Sequence, residues 1–296
     1  MMKKEINNDK DFKKKLIIDC EKCCGLCCVA LYCMKSDGFP ANKIAGKPCQ
    51  NLMPDFRCAI HSKLVQSKMK GCLAYDCFGA GQKVTQDCFP AMNWNTHPKK
   101  ANQIFDVFLV VFGLHQMLWY LIEASTLNLG EIINSEIDAL IGENERMTAL
   151  VPDDILNLDV NAYRLRVNEL LKEISNTIAN PTKKEQNRDF FGKDFKGADL
   201  DGKDFSMSLM IAANLEGCSL RGTNFLGADM RDVNIKNTDL SQSVFLTQMQ
   251  INAAKGNSNT KLPDSLAYPK EWKGDSPFEE RTVFDKTTRN YRRRKN

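Results

Sequence analysis

From Arg188 to Leu246 the sequence repeats every five residues. Counting in fives gives Phe190, Phe195, Leu200, Phe205, Met210, Leu215, Leu220, Phe225, Met230, Ile235, Leu240 and Phe245, all large and apolar. Two positions before most of them stands a smaller residue: Ala198, Ser208, Ala213, Cys218, Thr223, Ala228, Val233, Thr238 and Ser243. Asp or Asn fills most of the positions between, and Ala198-Asp199-Leu200-Asp201-Gly202 shows the unit. A period of five matches neither the 3.6 of a helix nor the two of a strand. A fixed period of this kind marks a stacked repeat.

If each unit makes one side of a square coil, the large residue and the small one two before it face inward. The other three face water. Twelve units then give three coils of four sides, and stacking at the strand spacing of about 4.8 Å makes a rod roughly 15 Å long. The pattern resembles the pentapeptide-repeat family, and the resemblance implies a right-handed quadrilateral β-helix. Arg188, Lys193 and Lys203 occupy small-residue positions, so an irregular first coil is expected. The Asp and Asn residues are expected to form a partial ladder on the outside. After Leu246 the period breaks, and Thr247–Ala254 reads as a short helix closing the open end of the stack, as solenoids need. The run to Gly256, then Thr260-Lys-Leu-Pro263, Pro269 and Trp272, resembles the ending of many pentapeptide-repeat proteins.

Eleven of the twelve cysteines lie between Cys20 and Cys88. The number is odd, and residues 1–19 lack the apolar run of a secretion signal. In a reducing compartment such density favours metal binding over disulfides. Thiolates are soft ligands that select zinc or iron–sulfur clusters over magnesium or calcium. Gaps of two and three residues let neighbouring thiolates converge on one ion. Adjacent Cys27 and Cys28 diverge, so one of them is free to serve a second centre. Cys20-x3-Cys24-x2-Cys27-Cys28, followed by single cysteines, resembles the YkgJ-like zinc- or iron-chelating cysteine-cluster family. The resemblance implies eight ligands: Cys20, Cys24, Cys27, Cys28, Cys49, Cys58, Cys72 and Cys77. Cys23 is an alternate for Cys24, because Cys20-x-x-Cys23 is itself a good ligand spacing, and His61 is a second alternate. Eight thiolates suit two zinc ions, or one four-cysteine site plus one iron–sulfur cluster. The sequence does not choose between zinc and an iron–sulfur cluster.

The most apolar window, Ile104 to Ile122, contains Asp106, Gly113, His115 and Gln116, which favours a buried helix over a membrane span. Helices are expected over 98–128, over 129–141, and over 160–179 behind an Asp159 N-cap. The resulting order is a polar arm (1–19), a cysteine-rich metal-binding domain (20–97), a helical bundle (98–180) and a linker (181–187). The pentapeptide-repeat β-helix (188–246), a cap (247–272) and a basic disordered tail (273–296) follow. The fold class expected is multidomain α+β: a loop-rich metal-bound cysteine module, a small helical bundle and the capped β-helix. Net charge is +8 over residues 1–100 and −7 over 101–187, so these two parts are expected to dock.

His115 in the apolar helix reads as a satisfied core histidine, and Cys218 as a packing residue of the repeat. No Ser/His/Asp signature, phosphate loop or dinucleotide fingerprint is present, so the reading leans away from an enzyme. The favoured function is a cytoplasmic metal-binding scaffold or regulator with an unidentified protein partner and no membrane contact. The alternative is an iron–sulfur redox protein or enzyme using the Cys20–Cys77 cluster. A metal chaperone and a topoisomerase-binding DNA mimic rank lower. The mimic is disfavoured because the repeat carries a net charge of only −2, against one charge per about 1.7 Å in DNA. Arg292–Lys295 offers a minor nucleic-acid contact, with a solvated tail as the default reading.

Overall fold

A computed structural model describes residues 13–127, 129–179 and 187–273. The expected linker, apart from Asn187, the tail beyond Lys273 and the first twelve residues of the arm lie outside the described residues. Three short helices carry the cysteine-rich part: α1 (Leu26–Ala30), α2 (Lys70–Ala74) and α3 (Ala80–Lys83), the last running into a π turn over Val84–Cys88. Then come α4 (Ala101–Ser125), α5 (Glu131–Thr148), α6 (Pro152–Leu156) and α7 (Val160–Ile178). The repeat follows, and α8 (Gln248–Ala253) closes it.

Helix α4 is the spine. At 1.5 Å per residue its length is about 37 Å, enough to serve two cores. Its first half packs Ile104, Phe105, Val107, Phe108 and Val111 against Leu26, Val29, Ala80, Val84 and Phe89 of the cysteine-rich part. Its second half, from Leu114 to Ala124, joins a larger core with α5, α7 and the repeat interior. Trp119 donates Nε1–H to the Leu246 carbonyl at 3.0 Å, fastening the helix to the last coil. Helix α4 is long and apolar enough to cross a membrane, but most of it is buried inside the protein, and its packing is that of a core helix.

Helix α7 begins where Asp159 Oδ1 accepts from Ala162 N at 2.9 Å, the expected N-cap. Helix α5 runs seven residues past its expected end at Ile141. Its extra turns bury Asn144, which donates Nδ2–H to the Leu114 carbonyl (3.0 Å) and to Tyr163 Oη (3.2 Å), while Tyr163 donates to the Leu140 carbonyl (3.0 Å). The oppositely charged parts do meet: Lys13 pairs with Glu123 at 2.8 Å and Lys15 with Glu145 at 3.0 Å.

The repeat corrects the expected fold class. Among the described residues there are no β-strands, so a right-handed β-helix, and the β half of an α+β fold, does not form. Successive coils instead touch through isolated parallel bridges twenty residues apart, such as Asp189 to Leu209, Asp194 to Asn214 and Asp199 to Ser219. The reason lies in the five-residue unit. One residue, just before the large inward one, is extended and pairs. Three residues further on, a turn places a residue at positive φ: Gly192 (61°), Gly197 (69°) and Gly202 (67°), but also Met207 (54°) and Asn237 (57°). That reversal ends the extended run before a second rung can form, so the repeat is a four-sided stack of turns.

Within this stack the inward pattern holds. Phe205, Phe225, Phe245, Leu215, Leu220, Ile235 and Leu240 are fully buried, and the small positions from Ser208 onward line the same core. Thr223, Thr238 and Ser243 donate their hydroxyl protons to carbonyls of the coil before, at 2.8–2.9 Å. Outside, Asn214 donates to Asp194 (2.9 Å) and Asn234 to Asn214 (2.9 Å), a ladder of side-chain amides. Cys218 is buried in its packing position, 2.9 Å from the Phe195 carbonyl. The first coil, expected to be irregular, keeps the same bridges and turns as the others; its lysines are accommodated by placing the Lys193 and Lys203 ammonium groups 5.4–5.7 Å from the ring centres of Phe190 and Phe195. At the other end the Thr247 hydroxyl and the Gln250 side chain cap α8 reciprocally.

Candidate metal centre

All twelve cysteines are free thiols. Two loops and three short helices bring nine of them near one another around α1. Helix α1 places Cys27 and Cys28 side by side, their sulfurs in contact at 3.9 Å. The Cys27 thiol donates toward Cys28. This hydrogen bond, and then burial, holds Cys27 well above the ordinary thiol pKa, with charge on Cys28, Cys23 and Cys77 adding to it. The same bond lowers Cys28, helped by Lys43.

On the Cys27 side stand Cys23 and Cys77, on either side of Gly81 in α3. A Cβ built on Gly81 would sit 2.6 Å from Cys23 Sγ and 3.8 Å from Cys77 Sγ. The backbone N–H groups of Leu26 and Gly25 point at the Cys23 sulfur, and that of Gly81 at the Cys77 sulfur. Burial pushes Cys77 up to about 12, and Asp76, Cys23 and Cys20 add to this. Cys20 lies at the exposed rim; partial burial of its sulfur and then the neighbouring Cys23 raise it.

On the Cys28 side the chain returns twice. Cys49 N donates to the Cys28 carbonyl at 2.9 Å, and Asn51 N to the Cys49 sulfur at 3.5 Å. A bridge between Leu52 and Cys58 folds the next loop back, and Ile60 N–H points at the Cys58 sulfur. Cys72 comes in on α2. Burial pushes it up to about 12, and Cys28, Cys33, Cys49 and Cys58 raise it further. Cys33 sits beside this group, held by the bridge between its own residue and Lys43.

The remaining predicted residues stand apart. Cys24 is buried among Val84, Phe89 and Phe105; its sulfur is 3.4 Å from Thr85 Oγ1, and burial pushes it up to about 11. His61 is exposed at the start of a 3-10 turn. Cys88 ends the π turn. Among the described residues, no three His, Cys, Asp or Glu side chains converge closely enough to hold a metal ion as they stand. The donor set nevertheless suits a thiophilic metal in kind: soft thiols, each group with backbone N–H groups aimed at its sulfurs, and a glycine where any side chain would displace one of them.

Two residues of the site were not singled out from the sequence. Asp76 is buried, its carboxylate accepting from Phe78 N at 2.6 Å, and burial raises its pKa. The Tyr75 hydroxyl is buried without a hydrogen-bond partner, and burial, then charge on Cys77, Cys27, Asp76 and Cys23, holds it far above the ordinary phenol pKa. Both lie between Cys72 and Cys77, inside the ligand spacing, and that placement was the available signal. His115 on α4 donates Nδ1–H to the Phe78 carbonyl at 2.7 Å, as a neutral buried histidine.

A family model for pentapeptide repeats matches residues 208–245 in eight copies, so the chain carries pentapeptide repeats. The chain is also 42% identical over 279 residues to the uncharacterized protein YybG of Bacillus subtilis (strain 168), an alignment covering 92% of this chain and 100% of YybG. It belongs to the same family as YybG. A solved pentapeptide repeat protein from the Arabidopsis thaliana thylakoid lumen is 23% identical over 30% of this chain and 66% of the other. Its TM-score of 0.16 is too low to bear on fold or site.

Proposed function

We propose that the protein is a non-enzymatic, cytoplasmic scaffold in which a cysteine module, residues 20–97, binds a thiophilic metal and the repeat, 188–246, presents an outer face to a protein partner. The observation that carries this reading is the gathering of the thiols around α1 while all remain free of disulfide bonds. A reducing compartment keeps them so. Bound metal would supply charge neutralisation and cross-link loops that own little apolar core. The likeness of Cys20-x3-Cys24-x2-Cys27-Cys28 to the YkgJ-like cysteine-cluster family supports the same reading. On the repeat, Phe191 and Met207 are 65% and 73% exposed on outward positions, the kind of surface a partner covers.

Anaerobic purification of the full chain, followed by metal and acid-labile sulfide analysis, tests the proposal. Bound zinc or iron supports it. Sulfide in stoichiometric amount would shift the reading to an iron–sulfur redox protein. A metal-free, sulfide-free protein with every cysteine reactive to a thiol reagent overturns it.

A further inference from the structure

The four sides of the coil stack do not carry the same outer surface. On the side built from residues 203–207, 223–227 and 243–247, the outward Leu226, Val244 and Leu246 belong to the core that α4 joins. There Tyr120 meets Phe245 edge to face at 6.4 Å, and Trp119 holds the Leu246 carbonyl. Two other sides are polar outside. Asp194, Asn214 and Asn234 form the amide ladder, Lys196 pairs with Glu216 at 3.5 Å, and Ser219 donates to Asp201 at 2.6 Å. The remaining side, residues 188–192, 208–212 and 228–232, is apolar outside and open to solvent over its first two coils. Phe191, Leu209 and, at the leading corner, Met207 are 65%, 37% and 73% exposed. Bridges run from Asp189 to Leu209 and on to Asp229, so Leu209 stands where most units have Asp or Asn. Gly192 N and Ala212 N donate to the Ile211 and Arg231 carbonyls, which puts Phe191, Ile211 and Arg231 in a second outward column. Outward apolar residues are thus covered by a helix on one side of the stack and bare on another, and a bare patch of this kind marks a docking surface.

We propose that this side docks a second copy of the chain, two coil stacks lying side by side about a twofold axis parallel to their length. The inference rests on the reading above that the repeat presents an outer face to a protein partner, and it is independent of the metal. Such an axis makes the same patch serve both copies and exchanges its two outward columns. The column of Asp189, Leu209 and Asp229 then meets the column of Phe191, Ile211 and Arg231 of the other copy. In the second coil Leu209 faces Ile211, and in the third Asp229 faces Arg231, each contact being made twice. The patch is therefore complementary to itself in polarity and in charge. Stacks running in opposite directions would set Asp229 against Asp189, a like-charge contact that costs association. Arg231 already pairs with Asp229 of its own chain at 2.6 Å, and its side chain stays 62% exposed, so it reaches a second carboxylate without leaving the first. Helix α2 touches this side at its far corner, where Lys70 meets Asp232, beyond the apolar patch. Three coils stack to roughly 15 Å, a smaller face than the ~800 Å² per partner of a stable complex, so the association is weak and concentration-dependent.

Sedimentation velocity of the full chain, carried up to submillimolar concentration, is expected to show the mass rising from one chain toward two. Leu209→Asn with Ile211→Ser restores the polar types that stand in these columns on the other sides. That variant should unfold in urea as wild type does and associate at least tenfold more weakly. Arg231→Asp should also weaken association, and Asp229→Arg with Arg231→Asp should recover it, because the exchanged pair is complementary again. A photo-crosslinking phenylalanine analogue in place of Phe191 identifies the occupant. Both in the purified protein and in cells it should join to residues 188–192 of a second copy. A dimer that survives Leu209→Asn with Ile211→Ser overturns this face as its site. A chain that stays monomeric and crosslinks in cells to a different protein overturns the second copy and leaves the partner reading standing. A monomer with no adduct in either setting overturns both.

Discussion

Replacing Gly81 by alanine separates a structural glycine from a site glycine. In a helix interior alanine is normally better than glycine by about 1 kcal/mol, and Gly81 lies within α3 with no positive φ to excuse it. Here the added methyl would stand 2.6 Å from Cys23 Sγ and 3.5 Å from its Cβ. That is about 1 Å inside an ordinary contact. Two responses are open. If α3 is pushed away from the Cys20–Cys24 segment, overpacking costs roughly 1–3 kcal/mol. If the Cys23 side chain turns aside, its sulfur leaves the Gly25 and Leu26 N–H groups. The control is Gly142→Ala on α5, where the nearest atom to the new methyl is the mobile end of Arg146 at 3.5 Å. Urea denaturation of both variants is expected to show Gly142→Ala gaining several tenths to about 1 kcal/mol and Gly81→Ala losing about 1–2. Reactivity of Cys23 toward a thiol reagent should rise in Gly81→Ala. A Gly81→Ala protein as stabilised as Gly142→Ala, with Cys23 unchanged, would refute the packing argument.

His115 makes stability fall in mild acid. Burial lowers its pKa from 6.5 to about 4, so the stability is full above 6.5, is lost as pH falls through the window to about 4, and is flat below. The loss totals about 3 kcal/mol, and the difference between wild type and His115→Gln in urea midpoints at pH 7.5 and 4.5 isolates it from other titrations. Phe225→Ala should cost about 3–5 kcal/mol, since the ring is fully buried and stacked 5.7 Å from Phe205. Phe191→Ala, on an outward position, should change stability by no more than about 0.5, and equal effects would deny the inward pattern of the repeat. Tyr163→Phe removes the hydroxyl shared by Asn144 and the Leu140 carbonyl and should cost about 1–2 kcal/mol in the same assay.

What the sequence made legible follows from periodicity. A five-residue period named the repeat and its inward residues, and a 3.6-residue period found α4, α5 and α7 within a few residues. The miss at the end of α5 came from Asn144, a polar residue on the buried face; its fitness there depends on Leu114 and Tyr163, which only the folded chain brings near. Helix α6 has five residues, too few for any period to declare itself. The β-helix failed as an expectation because spacing reports which residues face inward, whereas strand formation depends on backbone extension, and the positive φ recurring every five residues from Gly192 to Asn237 ends it. In the cysteine-rich part the residue types were plain and the grouping was not. Cys23 and Cys24 are equivalent by spacing; in the fold Gly81 lies against Cys23, Cys24 is the more buried of the two, and Thr85 reaches both sulfurs.

The same contacts tie the thiols to the repeat. Cys72 sits in α2, and α2 packs on α8, the helix that closes the coil stack. Lys70 of α2 and Lys255 just beyond α8 both reach Asp232 of the repeat at 2.9 Å. These pairs are exposed and worth little alone, so the coupling must run through packing. Solenoid stability is carried by nearest-neighbour interfaces and depends on the ends being covered. One end here is covered by Lys193 and Lys203 over the phenylalanine rings; the other is covered by α8 with α2 behind it. Helix α2, which carries Cys72, meets both the cap and, through Lys70, the coil at Asp232, whereas Cys23 and Cys77 lie against Gly81 of α3, which packs on α4. Cys72 thus stands next to the closed end of the repeat, and Cys23 and Cys77 next to the helix that supports the other core.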